Sequence, residues 1–233
     1  MNFPLMTDGR PTGIIDSLEQ RLTHYDHFTF VNDEDWVLTA DATPVFQAAD
    51  RSGGWLQFAT DAANDNDEAY ASTGENILFT AGKPVYIGCK IRLSEANTDD
   101  ANWLFGLTDQ GGANTLQDNG AGPPASYSGA VIFKVDGTMT IVAEASKTTS
   151  QSTLAAASCP AFVTATDYEL GIYWDGSKLS FFADVGGVLT LIHTVTSSTY
   201  FSVTEMTPTF GIKNGGTTVE TLLVDWWVLT AKL

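Results

Sequence analysis

Residues 168–195 read YELGIYWDGSKLSFFADVGGVLTLIHTV, and this stretch decides the fold. Apolar side chains occupy every second position before Asp175-Gly176 and again after it, which is the period of β-strands with one buried face. An Asp-Gly pair between two such strands favours a type I′ turn, in which both central residues have positive φ. Gly186-Gly187 predicts a second turn. The stretch therefore predicts an antiparallel meander whose apolar face must be covered by another sheet.

The same alternation recurs from Tyr25 onward. It is clearest in Lys83–Leu93, where apolar residues alternate with polar ones and place the cations Lys90 and Arg92 on a wet face. About ten to twelve strands with few or no helices indicate two stacked antiparallel sheets. We therefore predict an all-β jelly-roll sandwich of the concanavalin type, as a single domain spanning residues 23–233.

The last predicted strand, Thr221–Leu229, contains two adjacent tryptophans. Strict alternation places Trp226 on the apolar face, where it packs in the core. Trp227 then points the other way, so it is packed under a loop, part of an interface, or a platform on which a sugar ring stacks. In the last of these readings, Trp227 is the candidate carbohydrate-binding residue.

The first 22 residues differ from the rest and predict an N-terminal arm. Prolines and glycines interrupt residues 1–13, which favours an extended segment, while Ile14, Leu18 and Leu22 have the spacing of a short amphipathic helix. A disordered terminus is the competing interpretation. An arm that exposes apolar side chains could attach the protein to a partner, and the candidate contact residues are Phe3, Pro4, Leu5, Met6, Ile14, Ile15 and Leu18.

The charge balance argues against partners that are polyanions. The chain has 28 acidic and 11 basic residues, a formal net charge of −17. Nucleic-acid affinity comes largely from lysine and arginine displacing counterions, so we expect no binding to DNA, RNA or an anionic membrane. The sequence starts without a signal peptide and has no apolar run long enough to cross a bilayer, which predicts synthesis in a cytoplasm.

No motif predicts a metal site, a cofactor or a catalytic centre. His24-Tyr25-Asp26-His27 lacks the further ligands that zinc requires, and the acids from Asp61 to Glu68 are best explained as a solvated turn. Cys89 and Cys159 are single and far apart; Cys89 is expected to be a small buried hydrophobe, and a bridge between the two stays open. Glycoside hydrolysis needs a carboxyl pair, and the sequence shows no such run. We therefore predict that the chain is not an enzyme.

Five stretches resemble a known family. They are DNDEAYAST (65–73), SEANTDDANWLFGLTDQ (94–110), NTLQDNGAGPPASYSGAVIFKVDG (114–137), FGIKNGG (210–216) and ETLLVDWW (220–227). They resemble the small concanavalin-A-like, laminin-G-like jelly-roll proteins encoded beside the major capsid protein of tailed phages, which act as head decoration or cement proteins. The N-terminal arm and the Ser/Thr-rich segment after Glu144 lie outside the resemblance.

The resemblance implies a virion protein that binds the outer surface of the capsid and reinforces it. Its expected partners are the major capsid protein and further copies of itself, for example in a trimer. Strong negative charge suits the exterior better than the lumen, where packaged DNA would repel it. The alternatives are a carbohydrate-binding, lectin-like module, displayed for instance on the virion for attachment to host glycans, and a glycosidase with an unfamiliar carboxylate pair.

Overall fold

The chain forms a β-sandwich in a computed structural model that describes residues 6–7, 10–11, 21–31, 33–41, 45–60, 64–74, 77–95 and 100–232. Helix within these ranges is limited to three-residue 3-10 turns, at Asp33–Asp35, Ala156–Ser158 and Ser198–Tyr200. The strands are β1 (Met6–Thr7), β2 (Arg10–Pro11), β3 (Arg21–Asp26), β4 (Val37–Ala40), β5 (Val45–Ala48), β6 (Leu56–Ala59), β7 (Glu68–Ser72), β8 (Val85–Ser94), β9 (Ala101–Thr108), β10 (Tyr127–Lys134), β11 (Val142–Thr148), β12 (Ser150–Thr153), β13 (Asp167–Trp174), β14 (Leu179–Asp184), β15 (Leu189–Val195), β16 (Thr207–Asn214) and β17 (Thr221–Lys232).

Two antiparallel sheets face each other, as the sequence predicts. A seven-stranded sheet has the order β12-β11-β10-β9-β16-β7-β4. In the eight-stranded sheet, seven strands follow the order β15-β14-β13-β8-β17-β6-β5, and the eighth, β3, pairs with the second half of β17. Strands distant in sequence are neighbours in both sheets, so the first and last parts of the chain meet in one layered body. The predicted all-β, two-sheet sandwich is confirmed.

The core lies between the sheets and is built by the alternating residues. In β8 the five apolar residues at odd positions are at most 3% exposed, and in β13 every second side chain from Tyr168 to Trp174 is buried. Cys89 is one of these core residues, and both it and Cys159 are free thiols. The burial of one face in each strand fixes the register of the sheets, because a slip by one residue would expose it.

A β-bulge in β17 corrects the expectation for the two tryptophans. Val224 pairs with Ile91 and Trp226 with Lys90, so Asp225 is an extra residue opposite the space between two consecutive residues of β8. An extra residue reverses the alternation beyond it. Trp227 consequently packs in the core between the sheets and is 1% exposed, whereas Trp226 is buried outside that cluster. Trp227 therefore offers no platform for a sugar ring.

The turns agree with the sequence in position but not always in type. Gly186 and Gly187 both have positive φ, as the two central residues of a type I′ turn do, and Val185 N–H donates to the carbonyl of Val188 across the turn. The predicted type I′ turn at Asp175-Gly176 is wrong. Four residues separate β13 from β14 there, only Gly176 has positive φ, and the Asp175 carboxylate accepts bonds from the two residues that follow the glycine.

The predicted N-terminal arm lies mostly outside the described residues. Phe3, Pro4, Leu5, Ile14, Ile15 and Leu18 are all outside them, and so is most of the predicted helix. Met6 belongs to β1, which pairs with β2. Leu22, assigned to the arm from its spacing, is in β3 and pairs with Ala231 of β17.

Candidate binding cleft

An open cleft of about 420 Å³ lies on the outer face of the eight-stranded sheet. It is formed where β3 ends, where the loop between β5 and β6 turns, and where β8, β13 and β17 run side by side. Its polar and aromatic lining comes from His27, Arg51, Trp55, Lys90, Asp167 and Asp225. Five separate parts of the chain thus contribute to one site.

Strand register explains why these side chains meet. The residues beside Lys90 in β8 are buried in the core, so Lys90 points outward, as its alternating position predicts. Asp167 is paired with Arg92 across the boundary between β13 and β8. Asp225 is the bulged residue of β17, and the bulge directs its carboxylate toward Lys90 on the outer face.

Three of the eleven basic residues converge on one carboxylate, that of Asp167. Arg92 donates a hydrogen bond of 3.0 Å to Asp167 Oδ1, while Arg51 and Lys90 each approach an oxygen of Asp167 to 3.6 Å. Partial burial disfavours the charged carboxyl, but the bond from Arg92 and the charges of Lys90 and Arg51 outweigh it. The pKa of Asp167 is therefore held below its usual value.

Asp225 and His27 form the other wall. Lys90 Nζ is 3.0 Å from Asp225 Oδ2, and His27 Nδ1 is 3.9 Å from Asp225 Oδ1. His27 Nε2 is bonded to the Tyr25 hydroxyl, which fixes the ring, whereas Nδ1 is buried without a hydrogen-bond partner. A buried ring nitrogen in this position is unfavourable unless another group bonds to it.

The guanidinium of Arg51 lies over the ring of Trp55. Its guanidinium carbon is 4.0 Å from the centre of the indole, and Trp55 itself is 3% exposed. Stacking of this kind orients the guanidinium while leaving its N–H edges accessible. The Arg51 side chain keeps 34% of its surface exposed at the cleft.

A second polar cluster lies on the opposite surface, under residues 109–126, which connect β9 to β10 and which we call the 109–126 loop. Lys213 Nζ is 3.0 Å from Glu68 Oε2 and 2.6 Å from Asp118 Oδ1. It also donates to Asn114 Oδ1 and to the carbonyl of Leu116. Lys213 and Glu68 are almost completely buried, which corrects the expectation that Glu68 belongs to a solvated turn.

The same loop covers apolar side chains of the seven-stranded sheet. Leu116 is fully buried there beside Tyr70, Leu104, Val131 and Phe133, in a cluster separate from the main core. The Tyr70 hydroxyl accepts a bond from the Leu116 N–H. The length of this loop predicts a functional or mobile segment, and the structure shows that its first half is anchored by buried contacts.

The sequence predicted few residues of the cleft. It placed Lys90 and Arg92 on a wet face, which the structure confirms, but it gave no role to Arg51, Trp55 or Asp167. The available signal for Asp225 is the run Trp226 to Leu229, in which four consecutive apolar residues break the period of two. The described residues contain no cluster of three or more potential metal-ligating side chains.

The fold is that of the legume-lectin-like, concanavalin-A-like sandwiches. Basic winged bean lectin, solved with Tn-antigen, superimposes with a TM-score of 0.61 over 91% of this chain and 98% of its own, at 12% identity. Peanut lectin, solved with a 9mer peptide, gives a TM-score of 0.62 over 91% of this chain and 97% of its own, at 11% identity. Lectin II from Ulex europaeus gives 0.57 over 91% and 99%, at 14% identity.

These likenesses define the class of fold and nothing finer, because function belongs to sites rather than to folds. Neither a model of a known protein family nor the sequence of a curated protein matches the chain. Within the described ranges, no helix has the length and hydropathy to span a membrane.

Proposed function

We propose that this chain is a non-enzymatic decoration protein of a phage head, which binds the outer surface of the capsid shell and reinforces it. The observation that carries the proposal is the place where the resembling stretches meet. Lys213 of FGIKNGG contacts Glu68 of DNDEAYAST and three residues of NTLQDNGAGPPASYSGAVIFKVDG. Stretches that are far apart in sequence thus meet in one cluster. The residues that resemble the family are therefore in contact with one another in the folded chain.

The physical properties of the sandwich are compatible with that role. The net charge of −17 would repel packaged DNA and favours a position outside the shell. Two sheets locked by a continuous core make a rigid body, and the anchored 109–126 loop presents a fixed surface on one side of it. The expected partners remain the major capsid protein and further copies of the chain.

Co-sedimentation with particles tests the proposal. Recombinant protein is added to capsids that lack it, and the mixture is separated on a density gradient. We expect the full chain to move with the capsids, and a variant without residues 1–20 to bind more weakly. The deletion ends before Arg21, where β3 begins, so the described sandwich is left complete. Failure of the full chain to associate with particles, or its absence from purified virions, would end the proposal.

Matched substitutions separate an apolar contact from a general effect of the arm. Ile14→Ser with Ile15→Ser removes apolar side chains, whereas Thr12→Ser with Gln20→Ser alters polar neighbours only. We expect the first pair to weaken capsid binding and the second to leave it unchanged. Equal effects of both pairs would remove the apolar arm from the account without affecting attachment through the sandwich.

A second candidate function is saccharide binding in the cleft. The observation that favours it is an open, polar cleft with an oriented guanidinium and two carboxylates on a lectin-like fold. The candidate residue from the sequence, Trp227, is buried and takes no part. A glycan array probed with and without calcium tests this function, and an array that stays blank would refute it.

A further inference from the structure

The side chain of Arg51 is oriented but has few bonds. Within the described part of the chain its guanidinium contacts only the Trp55 ring and Asp167, the latter through a distance of 3.6 Å between Nη2 and Oδ1. A guanidinium has five N–H donors arranged as a fork that matches a carboxylate. Among the residues that the structure describes, most of these donors therefore have no protein acceptor.

The charges that line the cleft are balanced, because the cations Arg51 and Lys90 face the carboxylates Asp167 and Asp225. The formal net charge of the whole chain is −17, and this acidic surface disfavours a polyanion as the ligand. The N–H fork of Arg51 instead matches a small molecule with a single carboxylate.

The remaining groups of the cleft suit hydroxyls. Asp225 lies on the wall with its side chain 15% exposed, and the Thr29 and Ser52 side chains also line the cavity. His27 Nδ1 is buried and has no hydrogen-bond partner. A volume of about 420 Å³ is within the range of small-ligand pockets. A ligand with hydroxyls beside its carboxylate would satisfy these groups together.

We infer that the cleft binds a uronic acid, the carboxylate-bearing form of a hexose, with Arg51 as the partner of the carboxylate and Asp225 and His27 as partners of hydroxyls. The inference rests on the saccharide-binding function proposed above and narrows it to acidic sugars. Arg51 approaches from the loop between β5 and β6, and Lys90 from β8 adds a second positive charge beside it.

Calorimetry with unmodified protein tests the role of the charge without any mutation. D-glucuronate and D-galacturonate are compared with their own methyl esters, with glucose and galactose, and with acetate. We expect each acid to bind about tenfold or more tightly than its ester. Equal binding of acid and ester, or no binding of either acid, would overturn the inference. Acetate binding as tight as the uronates would overturn the assignment to a sugar.

Substitutions then test whether Arg51 is the residue that binds the carboxylate. Arg51→Gln should weaken uronate binding by about tenfold or more and leave ester binding unchanged, since only the charged contact is removed. Arg51→Lys keeps the charge but loses the fork, so it should recover only part of the affinity. Lys178→Gln is the charge-matched control, because Lys178 is exposed in the turn between β13 and β14, whereas Asp167 is at the other end of β13. Unchanged uronate binding by the Arg51→Gln variant would overturn the inference.

The outcomes also separate this inference from saccharide binding, on which it rests, and from the decoration function, on which it does not. Neutral sugars that bind as tightly as the acids would leave saccharide binding intact and refute the acidic class alone. Capsid association with no sugar bound at all would leave the decoration proposal intact and refute both statements about the cleft.

Discussion

Replacing Lys213 by methionine should destabilise the protein strongly, because it leaves a buried carboxylate without its cation. The Lys213 and Glu68 side chains are 1% and 2% exposed, and their charged atoms are 3.0 Å apart. Removing one partner of a buried pair costs about 3–5 kcal/mol. Asp118 is 56% exposed and can turn to water, so the penalty falls mainly on Glu68. We expect the free energy of unfolding to fall by about that amount at pH 8.

The pH dependence of this loss tests its cause. Burial raises the pKa of Glu68 above 4.5, although bonds from Asn114 and Lys213 oppose the rise. A carboxyl with a raised pKa in the folded state contributes stability below its unfolded pKa, and that contribution is lost as the pH rises through the folded pKa. Without Lys213 the folded pKa is higher still. The deficit of the Lys213→Met variant should therefore be smaller near pH 4.5 than at pH 8.

Urea unfolding followed by tryptophan fluorescence measures both quantities. The double variant Lys213→Met with Glu68→Gln should regain part of the lost stability, since no buried charge remains unpaired. Lys178→Met removes an exposed lysine as the control and should change the free energy by less than about 0.5 kcal/mol. A loss below about 1 kcal/mol for Lys213→Met, or a loss equal at both pH values, would refute the reasoning.

Three further predictions follow from single contacts. Trp227→Ala should cost about 3–5 kcal/mol in urea unfolding, because the ring fills the core, and a loss below about 1 kcal/mol would contradict that placement. Gly211→Ala should destabilise by about 1–3 kcal/mol, because the added Cβ would overlap the ring of Tyr70, whereas Gly74→Ala meets no atom within 4 Å and should be nearly neutral. Asp167 has a lowered pKa, so its contribution to stability is present above pH 3.8 and lost as the pH falls. Asp167→Asn should therefore flatten the acid side of the stability profile, and an unchanged profile would refute the ion-pair account.

The two sheets could be predicted because their signal is local. Each strand repeats apolar residues at a period of two, and this period follows from backbone geometry alone. Asp225 marks the limit of that reasoning. A bulge inserts one residue and reverses both faces beyond it, so Trp226 and Trp227 exchanged their predicted environments. The order of strands in each sheet depends on contacts between distant segments, which periodicity does not contain.

The cleft could be predicted only in part, for the same reason. Alternation in β8 places Lys90 outside, but its partners come from β13 and from the bulge in β17. Arg51 is positioned by Trp55, four residues further along the chain, and this contact depends on the conformation of the loop. The anchoring of the 109–126 loop likewise depends on Lys213, about a hundred residues away in sequence.

A map of virions that carry this protein would test the proposed function most directly. The account predicts a β-sandwich of this shape on the outer surface of the shell, in contact with the major capsid protein and repeated with the symmetry of the lattice. Particles whose outer surface has no such density, or density found only inside the shell, would contradict it.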